Sequence, residues 1–273
     1  MLAAGCSSLD PGTDVYVPST VEIGGLPEES GELMPAGADW SCLGQPEPLP
    51  PRDGEGTVRY TFPMVEWVTN RPLVGREIKV CNRVFPECPE PLEAATTVVD
   101  DRREVEVEIP RGQNVFLLLT APGTVPTVLY FDGPLYDDQT GGRIQMLTPE
   151  VTVSLATRLS IPLNPEQGVL AIRAHDCNGA IVSGALYEID DASGSSIPYT
   201  FVNGLPDAAK PPAPSTITSI VSDNSPWSGF VNVPITSLTV RGFLADDMRE
   251  FGATTVQVLP GINAIEVRPQ NRL

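Results

Sequence analysis

Glycine and proline break this chain about once every five residues, with 24 of one and 29 of the other among 273. Apolar stretches are therefore short, and none approaches the roughly 18 residues that would cross a bilayer as a helix. Such punctuation suits many short strands joined by turns. The 41% hydrophobic fraction is still too high for a wholly disordered chain. The length accommodates two domains better than one small sandwich.

The patterning within the runs agrees. Glu104-Val105-Glu106-Val107-Glu108-Ile109 alternates strictly, so it reads as a strand with one buried and one wet face. Three glutamates on one face call for basic neighbours, and Arg59 or Arg76 is expected beside them. Further strands are expected at 58–62, 77–80, 115–119 and 127–131, with 115–119 apolar enough to be central. Beyond residue 168 they are expected at 169–174, 185–189, 216–221, 229–233, 237–243, 254–259 and 262–267. The Leu259-Pro260-Gly261-Ile262 turn would close the last two into a hairpin. Between Ile189 and Thr216 the serine, proline and glycine content predicts a long loop. One helix is expected at 149–160. Thr148 is placed to cap it, Pro149 suits its first position, and Glu150 complements its dipole. Val151, Leu155 and Leu159 fall at helical spacing, and Pro162 marks its end.

The formal charge is −18, with 35 acidic residues, so a nucleic-acid partner is not expected. Residues 7–56 are rich in proline and acid and read as a tether, except that Asp39-Trp40-Ser41-Cys42-Leu43 is apolar enough to dock on a folded body. Ahead of it, Leu2-Ala3-Ala4-Gly5-Cys6 resembles the lipobox of bacterial lipoproteins, which implies lipidation at Cys6. Leucine stands one place earlier than in the commonest form of that motif. With Cys6 lipidated, Cys42, Cys81, Cys88 and Cys177 remain, an even set that favours disulfides in an exported protein. Cys81 and Cys88 bracket a short turn whose local closure is easy. Cys42 and Cys177 then pair by elimination.

The strand order looks repeated. Each half holds a strand, a connecting segment (Pro72-Leu73-Val74-Gly75, or Asp176-Cys177-Asn178-Gly179-Ala180-Ile181-Val182-Ser183-Gly184) and a second strand. Later comes Val107-Glu108-Ile109-Pro110-Arg111-Gly112 in one half and Gly229-Phe230-Val231-Asn232-Val233-Pro234 in the other. Both halves resemble the prealbumin-like modules grouped as carboxypeptidase regulatory-like domains, over residues 56–130 and 168–268. Ile235 and Arg103 depart from glycines usual in that family. The resemblance implies a mainly β chain of two tandem prealbumin-like β-sandwich domains joined by one short helix. Its parts would be a residual lipoprotein signal at 1–6, the tether at 7–56, sandwiches at 57–147 and 168–273, and a helical linker at 148–167.

Catalytic constellations are scarce. The chain has one histidine, His175, no CxxC pair, no nucleophile elbow and no phosphate-binding glycine motif. Neither a metal nor a cofactor is expected. The paired aspartates at 100–101, 137–138, 190–191 and 246–247 read as turn formers rather than calcium ligands. Trp227, in a polar turn before a strand, is the candidate ligand contact, against the plainer reading that it closes the end of a sandwich. The expectation is a non-enzymatic lipoprotein of the cell envelope, anchored by lipid, that presents its sandwiches to an envelope protein or a polysaccharide. The rivals are a secreted hydrolase using acids of the 190–216 loop and a plain structural spacer.

Overall fold

Short strands do dominate. The computed structural model describes residues 38–45, 55–83, 88, 91–95, 104–131, 133–182, 185–202, 205–208, 218–221, 227–244 and 247–269. Before the helix come β1 (Thr57–Glu66), β2 (Glu77–Asn82), β3 (Glu93–Ala95), β4 (Glu104–Pro110), β5 (Val115–Thr120), β6 (Thr127–Tyr130), β7 (Gln139–Thr140) and β8 (Ile144–Met146). The helix is α1 (Pro149–Leu159). After it come β9 (Gly168–His175), β10 (Ile181–Val182), β11 (Ala185–Ile189), β12 (Ile197–Val202), β13 (Leu205–Ala208) and β14 (Thr218–Val221). The last four are β15 (Ser228–Val233), β16 (Ser237–Leu244), β17 (Glu250–Gln257) and β18 (Gly261–Val267).

These strands form three sheets. A ten-stranded sheet runs β13-β12-β15-β9-β18-β6-β5-β2-β3, with β10 on β9. One four-stranded sheet is β4-β1-β7 with β8 on β1, and the other is β14-β11-β16-β17. Side-chain parity shows how they stack. Ile78, Val80, Leu117 and Leu119 pack with Val58, Phe62, Val105 and Val107, which makes the first sandwich. Residues of the opposite parity, Phe116, Val128 and Tyr130, join Leu170, Ile172, Ile265 and Val267 against Tyr187, Val240, Phe251 and Val256, which makes the second. The two sandwiches thus share the large sheet and use opposite faces of it. That explains why 115–119 is apolar throughout, because β5 is covered on both sides. Helix α1 lies over the face that the second sandwich leaves free, where Leu159 and Ile161 meet Tyr199 and Val231.

The helix begins as its sequence implies. The Thr148 side chain accepts from the Val151 backbone N–H, and Pro149 opens the first turn. It ends two residues before Pro162, at Ser160, whose left-handed backbone (φ 56°) leaves its N–H bonded back to Ala156 and Thr157. Other expectations change. The 190–216 stretch is not one loop, since it contains β12 and β13. Arg59 does lie opposite Glu108, but Arg76 is buried elsewhere and pairs with none of the three glutamates. The final hairpin does not form. Among the described residues β17 pairs only with β16, and the chain then crosses to the large sheet, where β18 lies parallel to both β6 and β9. Asn263, Ile265 and Val267 form the buried face of β18 and the opposite face is partly covered, so burial favours a strand flanked on both edges over an exposed hairpin arm. The crossing is tight: at Gly261 (φ 103°) a Cβ would stand 2.4 Å from the Pro126 carbonyl oxygen, so glycine is required there.

Candidate functional site

The parallel strands β6, β18 and β9 give the molecule a polarity. Pro110, where β4 ends, faces Thr57, where β1 begins. Val115, where β5 begins, faces Asn82, where β2 ends. The start of β1 and the ends of β2, β6, β9 and β18 therefore share one pole. The loops at 67–76, 121–126, 160–167, 190–196, 234–236 and 258–260 lie at the other.

The first pole holds the N-terminal segment. Cys42 is bonded to Cys177 just past the end of β9, with the Cα atoms 5.8 Å apart. Backbone N–H of Asp39 donates to the Asp176 carboxylate at 3.0 Å, and Cys177 N–H donates back to the Asp39 carbonyl at 2.9 Å. Asn178 donates its side-chain amide to the Asp39 carboxylate at 3.2 Å. Hydrogen bonds from Ser41 hold that carboxyl below its usual range. The Trp40 ring packs on Phe251, centroids 5.0 Å apart. The short piece thus docks on the body through a covalent bond, hydrogen bonds to the Asp176 carboxylate and from the Cys177 backbone, and an aromatic contact.

The second disulfide, Cys81–Cys88, lies at the same pole with Cα atoms 5.3 Å apart. Its loop carries Arg83, whose guanidinium donates to Thr254 Oγ1 (2.8 Å), the Thr255 carbonyl (3.0 Å) and the Phe131 carbonyl (3.3 Å). It also lies 5.5 Å from the centroid of the Tyr130 ring, and the Tyr130 hydroxyl donates to the Gln257 carbonyl. Side chains from the first half therefore occupy carbonyls of β17 on the side away from β16, where no described strand pairs with it.

His175 ties β9 to β18. Its Nδ1 lies 3.0 Å from the Gly179 carbonyl, which only accepts, so that nitrogen carries a proton. Its Nε2 faces Glu266 Oε1 at 3.4 Å, and Glu266 Oε2 pairs with Arg268 at 3.0 Å. Burial pushes the Glu266 carboxyl up, but His175 and Arg268 outweigh it and bring the pKa to about 2. The chain's single histidine is buried with both ring nitrogens facing protein acceptors.

Of the other residues singled out by sequence, Cys6 lies outside the described residues. Trp227 is half-buried, and the Arg173 guanidinium sits 3.9 Å from the centre of its ring. Of the paired aspartates, Asp191 and Asp247 accept within turns, Asp138 and Asp190 accept from distant segments, and Asp100, Asp101 and Asp246 lie outside the described residues. Asp191 accepts from the backbone and hydroxyl of both Ser193 and Ser196. Burial raises its carboxyl, yet these bonds hold it below the usual range. Asp190 takes the Thr239 N–H, Asp138 that of Arg59, and Asp247 that of Arg249. Among the described residues no three His, Cys, Asp or Glu side chains converge as metal ligands would, and no helix is long and apolar enough to cross a membrane. Sequence reasoning missed Arg83 and Glu266. The bracketing cysteines were the signal available for Arg83; Glu266 had none.

Comparison with known proteins adds little. No protein-family model matches the sequence, and no curated protein matches it. Several solved structures overlap it weakly. They include the Bacillus anthracis TIE protein, at 12% identity over 79% of this chain with a TM-score of 0.26. The chain spans about a third, 34%, of that protein. The shaft pilin SpaA of Lactobacillus rhamnosus GG is 11% identical over 80% of this chain and 100% of its own, at a TM-score of 0.25. The major pilin subunit BcpA of Bacillus cereus is 6% identical over 78% and 69%, at 0.25. Overlaps of that quality assign neither ancestry nor activity.

Proposed function

We propose that this protein is an exported, non-enzymatic component of a bacterial cell envelope, held by its N-terminal segment and displaying a rigid β-sandwich body for binding or adhesion. The observation that carries this reading is the Cys42–Cys177 bond, 135 residues apart in sequence. It belongs to an oxidising compartment, and it fastens the end of the proline-rich segment to the body at the pole where β1 also begins. A pull on that segment enters the fold at two neighbouring points and leaves the far loops facing outward. The lipobox-like Leu2–Cys6 supplies the anchor, a lipid on Cys6. The prealbumin-like modules supply a scaffold, and an envelope protein or polysaccharide is the partner class.

The test is partition in a bacterial host, with a lipoprotein signal supplied upstream. The wild type is expected in the membrane fraction, unprocessed when the lipoprotein signal peptidase is inhibited. Cys6→Ser is expected to leave the membrane. Membrane partition unchanged by Cys6→Ser would overturn the anchor.

A further inference from the structure

The β4-β1-β7 sheet turns a polar face to solvent. Val58, Tyr60 and Phe62 of β1 and Val105, Val107 and Ile109 of β4 fill the first sandwich, so the alternate residues of both strands point outward. β7 has only two residues, but it runs parallel to β1 and sets Thr140 beside Thr61, while Glu106 flanks Thr61 on the other side. Around this row lies an open depression of about 340 Å³, continuous with solvent and lined by Arg59, Thr61, Glu106, Asp138, Gln139 and Thr140.

Every lining side chain is a hydrogen-bonding group: a guanidinium, an amide, two hydroxyls and two carboxylates. Asp138 positions the guanidinium. Its Oδ1 accepts the Arg59 backbone N–H at 2.8 Å, and its Oδ2 lies 3.5 Å from Arg59 Nε. Both side chains remain well exposed, at 60% and 61%, so the outer edge of the guanidinium stays open to a ligand. The Thr61, Glu106, Gln139 and Thr140 side chains hydrogen-bond to no described residue. A ligand therefore meets them by displacing water, without breaking a bond of the fold.

We propose that this depression binds a neutral polysaccharide, whose hydroxyls donate to Glu106 and Asp138 and accept from Arg59, Gln139 and the two threonines. With no apolar side chain in the lining, hydrophobic burial cannot hold a ligand there. Two carboxylates against one guanidinium, with Glu104 and Glu108 exposed alongside, disfavour an anion. The exposed guanidinium in the same lining disfavours a cation. Vicinal hydroxyls, each donor and acceptor at once, match what remains. The row Glu106, Thr61 and Thr140 spans two interstrand spacings, about 10 Å, so adjacent sugar units engage it together. No aromatic ring lines the depression, so a single unit binds weakly and affinity comes from the repeats of the polymer. The inference rests on the display reading above and narrows its partner to a polysaccharide. Its test uses the protein in solution, so the fate of the lipid anchor does not enter the result.

The experiment titrates the isotope-labelled full chain with maltohexaose, cellohexaose and mannohexaose to millimolar concentration, following backbone amides by NMR. Saturable shifts centred on residues 59–61, 106 and 138–140 are expected with at least one of the three, unchanged by added salt because the ligand is neutral. Glu106→Ala is expected to bind at least about tenfold more weakly, and Thr140→Val about threefold. Both positions are exposed, so both variants are expected to melt as the wild type does. Arg71→Gln, in the loop at the far pole, is expected to bind like the wild type. Shifts absent from these residues with all three sugars overturn the proposal, as does wild-type affinity in both Glu106→Ala and Thr140→Val. Tighter binding of an oligogalacturonate or of a ten-residue polylysine than of any neutral sugar also overturns it, since the face would then select charge rather than hydroxyls.

Discussion

Single side chains reinforce this protein both across paired strands and between strands that do not pair. Arg83 crosses from the first half to carbonyl and hydroxyl groups of β17, and Glu266 sits between His175 and Arg268. The Glu266 carboxyl is brought from 4.5 to about 2, and its side chain is 25% exposed. A depressed carboxyl contributes stability that is complete above its unfolded pKa and is lost as pH falls towards its folded one. We expect a contribution on the order of 3 kcal/mol at neutral pH, declining below about pH 4.5 and gone near pH 2. Urea melts at a series of pH values check this: Glu266→Gln should be less stable at pH 7 and show a shallower acid limb, and identical limbs would refute the assignment. At Trp227, Arg173 already covers one face of the ring, so a ligand cannot stack on that face.

At the scale of elements, β18 is decisive. It follows β17 directly in sequence but leaves its sheet to separate β6 from β9. Asn263 fixes the crossing. Its Oδ1 accepts from Leu259 N–H at 3.0 Å, and its Nδ2 donates to the Leu259 carbonyl at 2.8 Å and the Val169 carbonyl at 3.3 Å. Replacing it with alanine leaves buried backbone groups unpaired at the start of two strands. Asn263→Ala is therefore expected to cost about 3 kcal/mol, read from the urea midpoint at an unchanged slope. Hydrogen exchange should quicken first at the amides of 259–263. The helix, by contrast, was legible in detail, because capping depends on residues three or four apart.

Across the whole molecule, the shared sheet makes the two sandwiches one packing unit. Phe116, Val128 and Tyr130 from the first half lie in the core of the second. One cooperative urea transition is expected by far-UV circular dichroism and by tryptophan fluorescence alike. The disulfides shift it unequally. Opening Cys42–Cys177, which closes 135 residues, should cost about 5 kcal/mol in the chain-entropy picture, and opening Cys81–Cys88, which closes seven, about 2.5 kcal/mol. The Cys42→Ser/Cys177→Ser and Cys81→Ser/Cys88→Ser pairs measure this. Two resolved transitions in the wild type, or a larger loss from the shorter loop, would contradict the shared-sheet account.

Sequence alone determined what depends on near neighbours and on residue type. The alternation at 104–109 specified a half-buried strand, Thr148-Pro149-Glu150 specified the helix start, and four cysteines with one short bracketed turn specified both pairings. Tertiary structure alone decided where strands go after a turn. Apolar residues on both faces of β18 suit a central strand anywhere, and nothing local says that its partners are β6 and β9 rather than β17. The same limit hid β12 and β13 inside an apparent loop and placed Arg76 in a core rather than beside the glutamates. Pairing partners and counter-charges are chosen by contacts distant in sequence, and their free energy exists only once the sheets have assembled.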